Sequence, residues 1–170
     1  LSVHADHYLG SDEAAYLQTL EAEAGWAERR RSLVTVGLTP PYASTAFGYI
    51  RPGEPVPDGG GLPAYRVQSF VEKPDLHTAQ AYLREGTYLW HLGLFSWPVD
   101  VLFKEMAAHA GVLYSGLERV RKARERGDAA QADDAYRALP TEAIDTAVLE
   151  RTSNLLMVRA SFEWHDLGSW

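Results

Sequence analysis

Runs of apolar and polar residues divide this chain into elements. Residues 33–38, Leu-Val-Thr-Val-Gly-Leu, are β-branched, mostly apolar and glycine-bounded, as expected of a buried strand. Ahead of them, Ser11-Asp12-Glu13 supplies a cap and acidic first-turn residues for a helix running to about Arg30. The chain opens on a short apolar run, Leu1 to Val3, leading into a polar loop, Ala5-Asp6-His7. This opening predicts strand, helix, strand, the parallel βαβ unit of an α/β fold.

The pattern then changes. Thr39 to Gly48 is a Pro- and Ser-bearing loop, and Tyr49-Ile50-Arg51 begins a strand. Pro52 to Pro63 is dense in Gly and Pro and predicts a turn or flexible loop. Tyr65 to Val71 reads as the returning strand of a hairpin with a long mobile tip. After Pro74, Asp75 opens a helix ending near Gly86, and Tyr88 to Trp97 is an aromatic, apolar strand. Pro98 suits the first turn of a helix, and helical residues dominate to Arg137. Pro140 to Asp145 opens a shorter helix through Leu149. Asn154 to Ala160 is a last strand before a terminal loop, Phe162 to Trp170. The chain has no internal repeat.

Composition narrows the classes. With 170 residues, 46% hydrophobic and 23% charged, the chain can bury one sizeable core. Its formal net charge of -7 argues against nucleic acid as a partner. The basic runs Arg29-Arg30-Arg31 and Arg119 to Arg126 sit among acidic neighbours on helices and read as solvated faces. The absence of cysteine removes disulfides, thiolate catalysis and cysteine metal sites, and fits a cytoplasmic protein. No apolar run approaches the roughly 20 residues that span a membrane.

Three places carry candidate chemistry. Phe70-Val71-Glu72-Lys73-Pro74 sets opposite charges side by side at a strand end, where alternation would turn the two side chains to opposite faces. Taken alone, the pair reads first as solvated charges; chemically, Lys73 can neutralise a phosphate as a point charge and Glu72 can accept hydrogen bonds from hydroxyls. Asp6 and Asp166 are loop-borne carboxylates at opposite ends of the chain. Two such groups make a minimal magnesium site, although spacing alone does not pair them. His4 and His7 lie three apart across a loop and read as structural or solvated. No phosphate-cradling G-x-x-x-x-G-K-[ST] or G-x-G-x-x-G pattern occurs.

These pieces, in this order, resemble the sugar-1-phosphate nucleotidylyltransferase family, and within it the mannose-1-phosphate guanylyltransferases. The matching runs are 5–7, 33–37, 47–50, 71–74, 88–95, 144–152 and 164–170. Each is short and common; seven in one order make a specific signal. The resemblance implies an α/β fold, a Rossmann-like, glycosyltransferase-A-like mixed sheet flanked by helices with an antiparallel hairpin insertion. It implies that residues 1–170 are the sugar-phosphate and metal-binding portion of a single nucleotidyltransferase domain. The family's Gly-rich nucleotide loop and carboxyl-terminal region would lie outside both ends, so the chain alone would not complete turnover.

The roles it carries over are these. Asp6 and Asp166 would hold Mg2+ and, with Lys73, do the catalytic work. Glu72 would accept sugar hydroxyls, Lys73 would meet the sugar phosphate, and Gly48 would bring backbone against the sugar. Trp164 would wall the pocket, and His91 and Gly93 would complete the substrate-binding set. His91 stands where the family usually has Asn, and Phe47 where it often has Tyr. The implied reaction joins mannose 1-phosphate and GTP into GDP-mannose and pyrophosphate through in-line attack, without a covalent enzyme intermediate. GTP and mannose 1-phosphate are the implied partners, with no membrane or nucleic acid and a homodimer as the candidate assembly. Two alternatives stay open: glucose 1-phosphate with UTP or dTTP, and a non-catalytic sugar-phosphate-binding module.

Overall fold

A computed structural model describes residues 1–57 and 61–168. The chain divides into two compact units, one formed by Leu1–Pro98 with Ser153–Trp170 and the other by Val99–Thr152.

The first unit is built on a sheet of five strands: β2 (Leu33–Leu38), β3 (Tyr49–Pro55), β4 (Ala64–Val71), β5 (Leu89–Ser96) and β6 (Leu155–Arg159). β2 pairs parallel with β6 and antiparallel with β5, and the remaining pairs are antiparallel. The expected mixed sheet is therefore present, and it closes on itself in the order β2-β5-β3-β4-β6. Closure follows from how β4 divides its pairing. Its length from Tyr65 to Val71 runs along β3, while Ala64 to Arg66 also reach β6 on the other edge. The hairpin is β3–β4, and the loop expected over Pro52 to Pro63 is shorter than the Gly and Pro content suggests, because Pro52 to Pro55 continue β3 and pair with β4; residues 58–60 lie outside the described residues, as do Ser169 and Trp170.

The opening βαβ unit is not what forms. Leu1 and Val3 are exposed, and Ser2 makes only an isolated antiparallel bridge to Phe95. A run of three residues, Leu-Ser-Val, offers too few ladder bonds to hold a strand, and the parallel neighbour of β2 is β6 instead. The first strand proper, β1 (His7–Tyr8), pairs antiparallel with β7 (His165–Asp166), a strand in what the sequence presents as a terminal loop.

Helix α1 (Glu13–Arg30) begins where Asp12 accepts a hydrogen bond from the Ala15 amide at 3.0 Å and ends at Arg31 in the left-handed region. It is anchored by Trp26, fully buried, whose indole N–H donates to the Leu62 carbonyl at 2.9 Å. Truncating such a side chain costs about 3–5 kcal/mol. The same helix buries a charged residue type, Glu23, completely. Helix α2 (Leu76–Glu85) is capped by Asp75 and closed by Gly86 in the left-handed region. The core beneath gathers Val36, Tyr49, Trp90, Leu92, Leu94, Phe162 and Trp164.

In the second unit, α3 (Val99–His109), α4 (Gly111–Glu125) and α5 (Ala129–Arg137) follow one another. Gly127, at φ 73, and Asp128, accepting from the Gln131 amide at 2.9 Å, separate the last two. Arg121 pairs with Glu118 and Glu125 on the exposed face of α4, as a solvated basic run should. The helix expected from Pro140 shrinks to a single wide turn, Asp145–Leu149, in which Glu150 donates to the Asp145 carbonyl at 2.9 Å. No helix among the described residues is long and apolar enough to cross a membrane.

Candidate functional site

The short ladder between β1 and β7 joins opposite ends of the chain. His7 faces Asp166, Tyr8 faces His165, and the Leu167 amide donates to the Asp6 carbonyl at 2.9 Å. Asp6 and Asp166 therefore come together although no spacing rule pairs them. The chain then turns at Gly168, whose amide donates to Asp166 Oδ1 at 2.7 Å. A Cβ on Gly168 would stand 2.8 Å from Asp6 Oδ2 and 3.0 Å from Asp166 Oδ1. Both carboxylates thus converge on a point that a glycine leaves open. Convergent hard oxygens are the donors magnesium takes, with its remaining positions left to water and phosphate. The two residues fit that ion.

A second cluster forms where β4 ends. The loop before β3 is tied down by Tyr49, whose hydroxyl donates to the Ser44 carbonyl and accepts from the Ser44 amide at 3.0 and 2.9 Å. The His91 amide donates to the Gly48 carbonyl at 2.8 Å, holding position 48 against β5. There Gly48 faces Glu72 and His91: a Cβ on it would lie 2.6 Å from Glu72 Oε2 and 3.2 Å from the His91 Cβ.

Alternation would turn Glu72 and Lys73 apart, but the structure does not. β4 stops at Val71, and Lys73 adopts φ 44, a left-handed conformation. Its ammonium then lies 3.8 Å from Glu72 Oε1 and remains 64% exposed while Glu72 is 17% exposed. A left-handed lysine costs about 1–2 kcal/mol, and the position before a proline normally favours extended backbone. Strain of this kind gathers at functional sites.

His4 and Gly93 link the two clusters. Gly93 has φ 67, and a Cβ there would meet His4 Nε2 at 2.6 Å. His4 stacks on His7 with ring centroids 4.7 Å apart, and His7 meets the edge of Trp164 at 5.0 Å. Trp164 is buried, with Phe47 and Trp90 against it at 5.2 and 6.4 Å. Burial, and then the neighbouring charge of His4, push His91 down to about 3, so its ring is neutral at ordinary pH. Burial and His4 likewise lower His7, against the opposing pull of Asp166 and Asp6.

All eight residues singled out in the sequence, Asp6, Gly48, Glu72, Lys73, His91, Gly93, Trp164 and Asp166, lie in the first unit. Among them, Asp6 meets Asp166, and Gly48 meets Glu72 and His91. His4 and His7, which the sequence presents as structural or solvated, lie beside Asp6, with His4 Nδ1 3.9 Å from Asp6 Oδ1.

A family model described as nucleotidyl transferase matches residues 1–170. Mannose-1-phosphate guanylyltransferase of Salmonella montevideo is 35% identical over 173 residues, covering 100% of this chain and 36% of that protein. The Escherichia coli (strain K12) protein of the same name is 34% identical over 176 residues, with the same coverage. The chain spans about a third of the length of the curated relatives it matches. A crystal structure described as a mannose-1-phosphate geranyltransferase from Thermus thermophilus superposes with a TM-score of 0.79 at 34% identity, covering 98% of this chain and 45% of that one. One described as mannose-6-phosphate isomerase from Helicobacter pylori shares the fold, with a TM-score of 0.78 at 24% identity, covering 95% of this chain and 61% of that one.

Proposed function

This chain belongs to the nucleotidyl transferase family, and from that premise we propose that the protein carrying it transfers a guanylyl group from GTP to mannose 1-phosphate in the cytoplasm. The products are GDP-mannose and pyrophosphate, and this chain forms the acceptor side of the site. The observation that carries the reading is the convergence of the Asp6 and Asp166 carboxylates on Gly168. They lie in the same compact unit as a phosphate-neutralising lysine and a hydroxyl-accepting glutamate.

Magnesium, when bound by Asp6 and Asp166, supplies charge neutralisation to the phosphates. Lys73, exposed beside Glu72, meets the phosphate of the sugar as a point charge. Glu72 accepts hydrogen bonds from sugar hydroxyls, and the bare backbone at Gly48 lets the ring approach. Trp164, packed against Phe47 and Trp90, walls the sugar pocket. With charge neutralised and the acceptor oriented, catalysis is a matter of positioning and electrostatics. Relatives named mannose-1-phosphate guanylyltransferase at 34% and 35% identity support mannose as the sugar.

The test is a substrate panel on the protein translated from the complete gene, read by pyrophosphate release. GTP with mannose 1-phosphate should be the preferred pair. A preference for UTP or dTTP with glucose 1-phosphate overturns the reading.

A further inference from the structure

Three side chains near the start of the chain form a donor set that differs from the carboxylate pair. His4, Asp6 and His7 each offer a ligand atom, and these atoms all lie within 4.8 Å of one another. His4 Nδ1 is 3.9 Å from Asp6 Oδ1. The two imidazoles are stacked with 24° between their planes, so one ring must rotate for both to present an in-plane lone pair to a single ion. His7 Nδ1 is buried and, among the described residues, has no hydrogen-bond partner. A buried ring nitrogen left unsatisfied costs about 1–3 kcal/mol.

The donor types say what such a set would hold. Two imidazoles and one carboxylate match borderline divalent ions of the zinc class. They match magnesium poorly, since it prefers oxygen throughout. Three protein ligands leave one position of a tetrahedral ion open to water or to a substrate oxygen. With metal–ligand bonds of about 2.0–2.1 Å, tetrahedral ligand atoms stand roughly 3.3 Å apart, so the cluster must contract on binding. His4 and Asp6, with side chains 49% and 53% exposed, have the freedom to close. Behind His4, Gly93 leaves the room that its Nε2 occupies, which keeps Nδ1 turned toward Asp6.

We propose that His4, Asp6 and His7 bind a borderline divalent cation of the zinc and cobalt class, with both imidazoles as ligands. The site shares Asp6 with the oxygen pair but is selected by its nitrogens. It does not depend on the sugar or the nucleotide assigned above.

Cobalt(II) titrated into the metal-free chain tests this by visible absorption. Ligand-field bands stronger than those of the hydrated ion should appear, saturate at one cobalt per chain and disappear on adding zinc. His4→Ala should weaken cobalt binding at least tenfold and His7→Ala should abolish the bands, while His77→Ala, on the exposed side of α2, should leave them unchanged. If circular dichroism shows that His7→Ala does not fold, His4→Ala decides, because its ring is half exposed. Absence of enhanced bands in the wild-type chain overturns the proposal. So does cobalt affinity in His4→Ala equal to that of wild type.

Discussion

Gly48 faces Glu72 so closely that a Cβ at position 48 would stand 2.6 Å from the glutamate's Oε2. The nearest atom is the end of a side chain that can swing away, but the His91 Cβ at 3.2 Å and Phe70 Cζ at 3.3 Å hardly can. Gly48→Ala should therefore displace the Glu72 carboxylate and cost about 1–2 kcal/mol of stability. Its larger effect should be on the sugar: affinity for mannose 1-phosphate should fall at least tenfold, with affinity for inorganic phosphate little changed. Calorimetric titration with both ligands checks this, and parallel losses for the two would argue against Glu72 as the hydroxyl acceptor.

Lys73 combines the proposed phosphate contact with a left-handed backbone, and two substitutions separate them. Lys73→Ala removes the charge and keeps the left-handed strain at φ 44; Lys73→Gly removes both. Both should weaken sugar-phosphate binding about ten- to a hundredfold, the range for losing a charged hydrogen bond. Denaturant unfolding should find the glycine variant more stable than the alanine variant by about 1 kcal/mol. Equal stability would mean that the left-handed conformation is not strained.

Asp166→Asn keeps an oxygen to accept the Gly168 amide, so the turn should survive with an unchanged unfolding midpoint. The lost charge should lower magnesium affinity at least tenfold, as measured by competition with manganese followed by electron paramagnetic resonance. Unaltered affinity would remove Asp166 from the metal pair.

Glu23 makes a prediction about pH. Burial pushes its carboxyl up to about 8, from the ordinary carboxylate range in the unfolded chain. Between those two values the native state binds the extra proton, so stability falls as pH rises. Its contribution is complete near pH 4.5 and is lost as pH climbs toward 8, at on the order of 1 kcal/mol per pH unit. Glu23→Gln, neutral throughout, should gain on wild type at that slope between about pH 5.5 and 7.5 in urea unfolding. Parallel curves for the two proteins would show that Glu23 ionises as freely in the fold as outside it.

Elements with strong local signals were legible in the sequence. β2, α1, α2 and β5 follow from β-branched runs, from Asp caps and from the glycine at 86, all of which act over a few residues. What local patterns miss is pairing at a distance. The Leu1–Val3 run reads as a parallel strand because nothing local reveals that β6 will take the place beside β2. The two-residue ladder of β1 and β7 is invisible for the same reason, since neither strand is long enough to show alternation. Yet that ladder unites the carboxylates. Gly127 and Asp128, an αL break followed by a cap, divide the long helical stretch by a signal that is itself local.

Glu72, Lys73 and the carboxylate pair, acting together as proposed, should recognise a sugar 1-phosphate. Isothermal titration of the 170-residue chain in magnesium, with mannose 1-phosphate, mannose and inorganic phosphate in turn, measures it most directly. Mannose 1-phosphate should bind at least tenfold more tightly than either part, and that advantage should vanish in Glu72→Gln and Lys73→Ala. Equal affinity for mannose 1-phosphate and inorganic phosphate, or binding untouched by both substitutions, would contradict the account.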